Sequence, residues 1–292
     1  LSETYEIKTY LGTIYNRLGL IKALSGNIKE AIENYEKSIL YHQETDSLVE
    51  ATRPINNIGT IYADHYANNE KAMENYRRGL GIATKFGVQE VEIIFLNNIA
   101  ELYMRNYEFE KALKYMKEVK KGAIELQDLN GILISNINMG IIYLATSEYN
   151  NASECYAYLK EIFETKQILD LELNVGYHNF LGEFYGYMGQ WEKGIEESQV
   201  AGDLCKEFNA REYLKAQCRI IYFKFFNESY FNKDEIEKIR ELYRKTELIQ
   251  ERKKALLYFS IISILCGDID YALDLLEEDS NLINLTKVEF LD

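Results

Sequence analysis

Apolar residues along the chain recur at intervals of three and four, the spacing that gathers them on one face of an α-helix. From Pro54 to Leu80 the sequence PINNIGTIYADHYANNEKAMENYRRGL reads as two short amphipathic segments, with a polar break at Ala67-Asn68-Asn69. The first segment carries Gly59 and, three on, Tyr62. The second opens on Ala72, with Tyr76 four further along. The same grammar returns along the chain. Anchored on the small residue that opens each second helix, the units fall at Ala31, Ala72, Ala112, Ala152 and Gly194, then at Ala272 after a degenerate unit. The spacings are 41, 40, 40 and 42, then 78 across two units. A fixed period near 40 residues is the mark of a helical-hairpin solenoid.

A second small residue precedes each anchor: Gly19, Gly59, Ala100, Gly140 and Gly182. Two helices of a hairpin approach closely only where side chains are small, and an aromatic fills the space beside that contact. The pattern predicts helices at 2–25, 28–43, 47–66, 69–86, 88–105, 108–126 and 128–146. It continues with 149–165, 168–188, 190–208, 210–227, 233–246, 248–266 and 268–278, and a partial helix after that. Gly26, Gly189 and Gly267 are placed in the turns between paired helices, where a left-handed residue ends a helix. Gly87 and Asn209 read as residues just past a helix end, and Ser47-Leu48-Val49-Glu50 as a capping box. Pro54, the sole proline, lies inside a helix and predicts a kink or an opened turn. No strand pattern and no linker interrupt the array, so the expectation is one all-α repeat domain over 1–292.

The totals narrow the function classes. Phosphate backbones are gripped by clustered Lys and Arg, and a net charge of −14 argues against nucleic-acid binding by this segment and against anionic membranes. The longest apolar run, Leu256 to Cys266, is too short to span a bilayer. Cys155, Cys205, Cys218 and Cys266 have no metal or disulfide spacing, and His42, His65 and His178 are scattered. These features fit a reducing cytoplasm. There is no phosphate loop, no nucleophile elbow and no ligand cluster, so no enzymatic role, no cofactor and no metal are expected. The chain begins at Leu1 and ends where a new helix starts, which suggests a segment cut from a longer protein.

The recurring residues resemble the tetratricopeptide repeat. Its order of Leu-Gly, Tyr, Ala and an aromatic is met by Leu18-Gly19…Gly26…Ala31…Tyr35 and by Ile58-Gly59…Tyr62…Ala72…Tyr76. It returns in Met139-Gly140…Tyr143…Ala152…Tyr156 and in Leu181-Gly182…Tyr185…Gly189…Gly194. The period exceeds the usual 34, which lengthens both helices to about 25 Å each. Such long units look like those of kinesin light chains and of bacterial regulatory repeat proteins. The resemblance implies an all-α fold, an α-α superhelix of about seven hairpins, in which the first helix of each hairpin lines an inner groove. The positions facing that groove are Asn16, Arg53, Asn56, Asn97, Glu101, Ile134, Ile137, Ile141, Leu144, Asn179 and Glu183. Three before the small residue the series reads Asn16, Asn56, Asn97, Ile137, Asn179. An amide carries both a donor and an acceptor, so such a ladder suits the backbone of an extended peptide. The neighbouring Asn57, Asn98 and Asn138 are expected to bond adjacent helices instead. Unit four is apolar at Ile134, Ile137, Ile141 and Leu144, either an open anchor stripe or a buried one.

The leading expectation is a non-enzymatic scaffold that binds a peptide or protein segment, as the sensory or regulatory region of a larger bacterial signalling protein. Two alternatives stand beside it: an oligomerisation or assembly module, with a homo-oligomer as partner, and a peptide-pheromone receptor domain whose DNA-binding part is missing. The ligand suggested by an apolar stretch between amides and carboxylates is a short peptide with hydrophobic and basic residues.

Overall fold

A computed structural model describes residues 2–229, 232–244 and 249–277. These form fourteen α-helices. The first seven are α1 (Ser2–Leu24), α2 (Ile28–Glu44), α3 (Leu48–Asp64), α4 (Asn69–Phe86), α5 (Gln89–Arg105), α6 (Phe109–Glu125) and α7 (Leu129–Ala145). The rest are α8 (Tyr149–Thr165), α9 (Leu171–Tyr187), α10 (Trp191–Cys205), α11 (Ala210–Glu228), α12 (Lys233–Arg244), α13 (Ile249–Leu265) and α14 (Ile269–Glu277). The expectations for 245–248 and for a helix beyond 278 lie outside the described residues. The chain divides into two compact units, Leu1–Asn138 and Met139–Asp292.

In the first unit α1 packs on α2, α3 on α4 and α5 on α6, while α2 meets α3 and α4 meets α5. The anchors Ala31, Ala72 and Ala112 are fully buried, and Tyr35, Tyr76 and Met116, each four residues later, are buried with them. A methyl group on Gly19 would stand 2.6 Å from the ring of Tyr35, and one on Gly59 2.5 Å from that of Tyr76. The small residue is therefore the seat of the second helix's aromatic, which is why the two recur together. In the second unit Ala152 and Ala272 are buried anchors, and Gly194 backs onto the carbonyl of Gly182. The rings of Phe163 and Tyr177 stack at 3.9 Å, and those of Tyr156 and Phe184 at 4.5 Å, which seats α9 on α8. Leu214, Ile236, Phe259 and Leu275 close a core among α11, α12, α13 and α14, joining the degenerate repeat to the one after it.

Most of the turns between helices rest on one left-handed residue. Gly26, Gly87, Gly189 and Gly267 supply it as expected, but Asp46, Ala67, Tyr107, Gln127, Ser147 and Ser229 hold positive φ at other turns. A recurring hairpin geometry thus imposes a conformation that costs a non-glycine residue about 1 kcal/mol or more. Two expected caps are corrected. Ser47 makes no side-chain cap on α3; its hydroxyl donates to the Thr45 carbonyl, so there is no capping box. Asn209 starts a helix rather than ending one: its Oδ1 accepts from the Glu212 amide at the head of α11. Asn68 and Asp170 cap α4 and α9 in the same way. α3 continues through the buried Pro54 as a single helix. No described helix is long and apolar enough to cross a membrane.

Candidate functional site

The first helices of the hairpins carry most of the polar side chains singled out from the sequence. In the first unit these lie on α1, α3 and α5, one repeat apart, and they meet across the repeat. Asn57 donates its side-chain amide to Asn16 Oδ1 at 3.2 Å, and Asn98 donates to Asn56 Oδ1 at 2.6 Å. The partners are 41 and 42 residues apart, one repeat period. Each Asn at the groove-facing position is therefore the acceptor for the Asn one residue further along on the next first helix. Asn97 departs from this scheme. Its amide donates to Glu101 Oε1 at 2.9 Å, one turn on, while its own Oδ1 is buried and has no hydrogen-bond partner among the described residues. Buried polar atoms are nearly always paired, so an unpaired acceptor calls for an explanation.

The electrostatic surroundings are mixed. Arg53 is mostly exposed, its side chain 72% accessible, with Glu50 3.8 Å away. Asp64 accepts from Arg105 at 2.6 Å. Burial disfavours the Arg105 cation, but Asp64 and Glu101 outweigh it and hold its pKa above the usual arginine value. Burial pushes the Tyr76 phenol up to about 12. Asn136 accepts from Lys120 and donates to the Ile132 carbonyl.

The second unit holds a network of another kind. Asn179 is only 6% exposed. It donates to Glu212 Oε2 at 2.8 Å and accepts from Arg219 Nη1 at 3.0 Å. The other end of the guanidinium, Nη2, donates to Glu183 Oε1 at 3.0 Å. Lys215 closes the network on Glu212 Oε1 at 2.8 Å. Burial would raise the Glu212 carboxyl, but Lys215, Arg219 and Arg211 together hold it below the usual value. Asn179 and Glu183 are thus brought together, with their acceptors already engaged. Arg219 and Glu212 were missed in the sequence. The available signal was distance: Arg219 lies 40 residues beyond Asn179, where the first unit has Asn57 and Asn98.

The four apolar positions of the fourth repeat do not form an open stripe. Ile137 and Leu144 are core residues, and Ile134 and Ile141 are half-buried. Among the described residues no group of His, Cys, Asp or Glu is arranged to hold a metal ion. Cys155, Cys205 and Cys218 are buried cysteines and Cys266 an exposed one.

The family model of soluble NSF attachment protein, SNAP, matches residues 21–171, just over half of the chain. No curated protein sequence matches. Among solved structures, a Rap protein complexed with competence and sporulation factor aligns over 95% of this chain and 75% of its own, at 16% identity and a TM-score of 0.73. The Rap conjugation gene regulator of plasmid pLS20, in complex with the Phr* peptide, aligns over 100% and 80%, at 14% identity and a TM-score of 0.67. A tetratricopeptide repeat protein from Parabacteroides merdae aligns over 94% and 93%, at 14% identity and a TM-score of 0.54. At these identities the likeness is one of fold. The fold class is all-α, an α-α superhelix of the tetratricopeptide kind built from consecutive hairpins.

Proposed function

We propose, for a chain that belongs to the soluble NSF attachment protein (SNAP) family of helical-repeat proteins, a role as a non-enzymatic scaffold that binds an extended peptide or protein segment. The ligand lies along the first helices of the first unit, over Asn16, Asn56 and Asn97. The observation that carries this reading is Asn97: a buried amide oxygen without a partner, beside Glu101, which its own amide already holds. A peptide backbone N–H is the donor that such an oxygen lacks. Asn56 accepts through Oδ1 and has its NH2 group to offer to a peptide carbonyl. Glu101 suits a basic side chain, and Arg53, on the helix of Asn56, an acidic group or a C-terminus. Asn179 and Glu183 hold the second unit together and contribute shape rather than contacts. The Rap regulator of plasmid pLS20, solved in complex with the Phr* peptide, supports the reading on a shared fold. A regulatory region of a bacterial signalling protein is the context we favour.

The test is a fluorescence-polarisation screen of short peptides that pair hydrophobic with basic residues. Asn56→Ala with Asn97→Ala should weaken the best binder by roughly tenfold or more, the loss of one to two hydrogen bonds. Unchanged affinity in that double variant for every peptide bound by the parent chain would remove the clamp.

A further inference from the structure

Most apolar side chains of α5 turn inward: Ile93, Phe95, Ile99 and Leu102 are all buried, yet Ile94 is 50% exposed. It stands six residues before Ala100, the position that Arg53 holds before Gly59 on α3. Spacings of three and four put Ile94, Asn97 and Glu101 on one face of the helix. Along the axis Ile94 lies about 4.5 Å to one side of Asn97 and Glu101 about 6 Å to the other. The face thus carries, in order, an open apolar side chain, a buried acceptor without a hydrogen-bond partner among the described residues, and a carboxylate. Glu101 Oε1 accepts from the Asn97 amide, and Oε2 accepts no hydrogen bond among the described residues. Arg105 is near enough to feel the Glu101 charge, but its guanidinium donates to Asp64.

The Asn57–Asn16 and Asn98–Asn56 bonds run from one first helix to the next, so the ladder crosses the helices rather than following them. A segment laid along it crosses α5. In an extended chain the N–H groups point at right angles to the side chains, and successive side chains leave on opposite sides. With one N–H directed down at Asn97 Oδ1, the side chains lie along the axis of α5, one toward Ile94 and the next toward Glu101. We propose that this face selects a segment in which an aliphatic residue stands directly beside a lysine or arginine. Ile94 is the specificity-determining residue for the first and Glu101 for the second. The pairing rests on the peptide reading of the ladder and adds to it the order of two ligand residues. Two positions apart, both side chains would leave on the same side, and only one of the two subsites would be met. On α3 the position of Ile94 is taken by Arg53, a cation that is 72% accessible and refuses an aliphatic group. The apolar subsite therefore belongs to α5 and sets the register of the segment on the ladder.

Fluorescence polarisation on the full chain tests it with short labelled peptides in one Ser-Thr frame, differing only at the centre: Leu-Lys, Leu-Ser-Lys, Leu-Glu and Ser-Lys. The Leu-Lys peptide should bind the wild-type chain at least about tenfold more tightly than each of the others. Ile94→Glu, at a position already half exposed, should erase the preference for Leu over Ser. Glu101→Gln keeps an acceptor for the Asn97 amide and should erase the preference for Lys over Glu. Circular dichroism should report unchanged helicity in both variants. Equal binding of the Leu-Lys and Leu-Ser-Lys peptides, both weakened by Asn97→Ala, overturns the pairing and leaves the peptide reading standing. Binding that Asn97→Ala leaves unchanged overturns the peptide reading, and the pairing with it. A Leu-Lys peptide that does not bind at all overturns the pairing without recourse to any variant, and the wider peptide screen then decides the ladder by itself.

Discussion

Asn98 on α5 donates its side-chain amide to Asn56 Oδ1 on α3 at 2.6 Å, joining two hairpins at a position where each carries an asparagine pair. The bond sits half-buried between first helices, where the losing partner is not fully rehydrated. Asn98→Ala should therefore cost about 1 kcal/mol. Asn56→Ala should cost the same, and the double variant little more, giving a coupling of roughly 0.5–1.5 kcal/mol in urea unfolding. Strict additivity would show that the two amides do not depend on each other.

Two glycines in the first unit should answer the same substitution with opposite signs. A methyl group on Gly59 would lie 2.5 Å from the Tyr76 ring, which is buried and cannot swing away. Gly59→Ala should destabilise by about 1–3 kcal/mol through overpacking. Gly81, inside α4, has nothing within 4 Å of that point. There the alanine only restricts the unfolded chain and favours the helix, so Gly81→Ala should stabilise by about 0.5–1 kcal/mol. Thermal midpoints of the two variants on either side of the parent are the expected result.

These contrasts show where sequence reading reached and where it stopped. Ala31, Ala72, Ala112, Ala152, Gly194 and Ala272 were legible as anchors because tight helix packing tolerates only small side chains, and all six are buried. Helix ends were less legible. Ser47 matched a cap by type, yet its hydroxyl turned to the Thr45 carbonyl, a local competitor that residue order does not reveal. The groove-facing series was legible as a face, since helical spacing dictates it. The partners of its members were not. Asn16 and Asn56 are engaged by residues one full period away, and Asn179 by an arginine at that distance. Helical periodicity within one unit carries no information about which side chain crosses from the next. Ile137 and Leu144 went into the core for the same reason: neighbours, not their own helix, decide their exposure.

Arg219 takes over in the second unit the joining role that asparagine has in the first, with a charge added. Its side chain is 11% exposed and holds both Asn179 and Glu183. Arg219→Met keeps the packing of the stem but leaves Glu183 and the Asn179 oxygen without their donor. With Glu183 a third exposed, solvent screening limits the loss to about 1–3 kcal/mol. Arg219→Lys should recover only part of it, because an ammonium group cannot reach both acceptors in the fixed fork that guanidinium provides. Guanidinium chloride unfolding of the three proteins reads this order directly, and full rescue by lysine would contradict the bidentate role.

His42 on α2 is 2% exposed, and its Nδ1 has no hydrogen-bond partner among the described residues. Its ring fills the space over Gly12 of α1, where a methyl group would stand 2.8 Å from it. Burial lowers the imidazole pKa below 6.5; Glu50 works against that shift and Arg53 works with it. The folded chain thus resists protonation at a pH where the unfolded chain accepts it, so stability falls with acid. The contribution is complete above the unfolded value of about 6.5 and is lost as pH falls through the lowered folded value. His42→Gln removes the titration but keeps a polar side chain of related size. Between pH 7.5 and pH 5, chosen as roughly spanning that window, the parent should lose more unfolding free energy than His42→Gln. The carboxylates, common to both proteins, cancel in the comparison. Equal losses in the two would mean that the imidazole already takes up its proton in the folded state, and that α1 and α2 accommodate the charge at their seam.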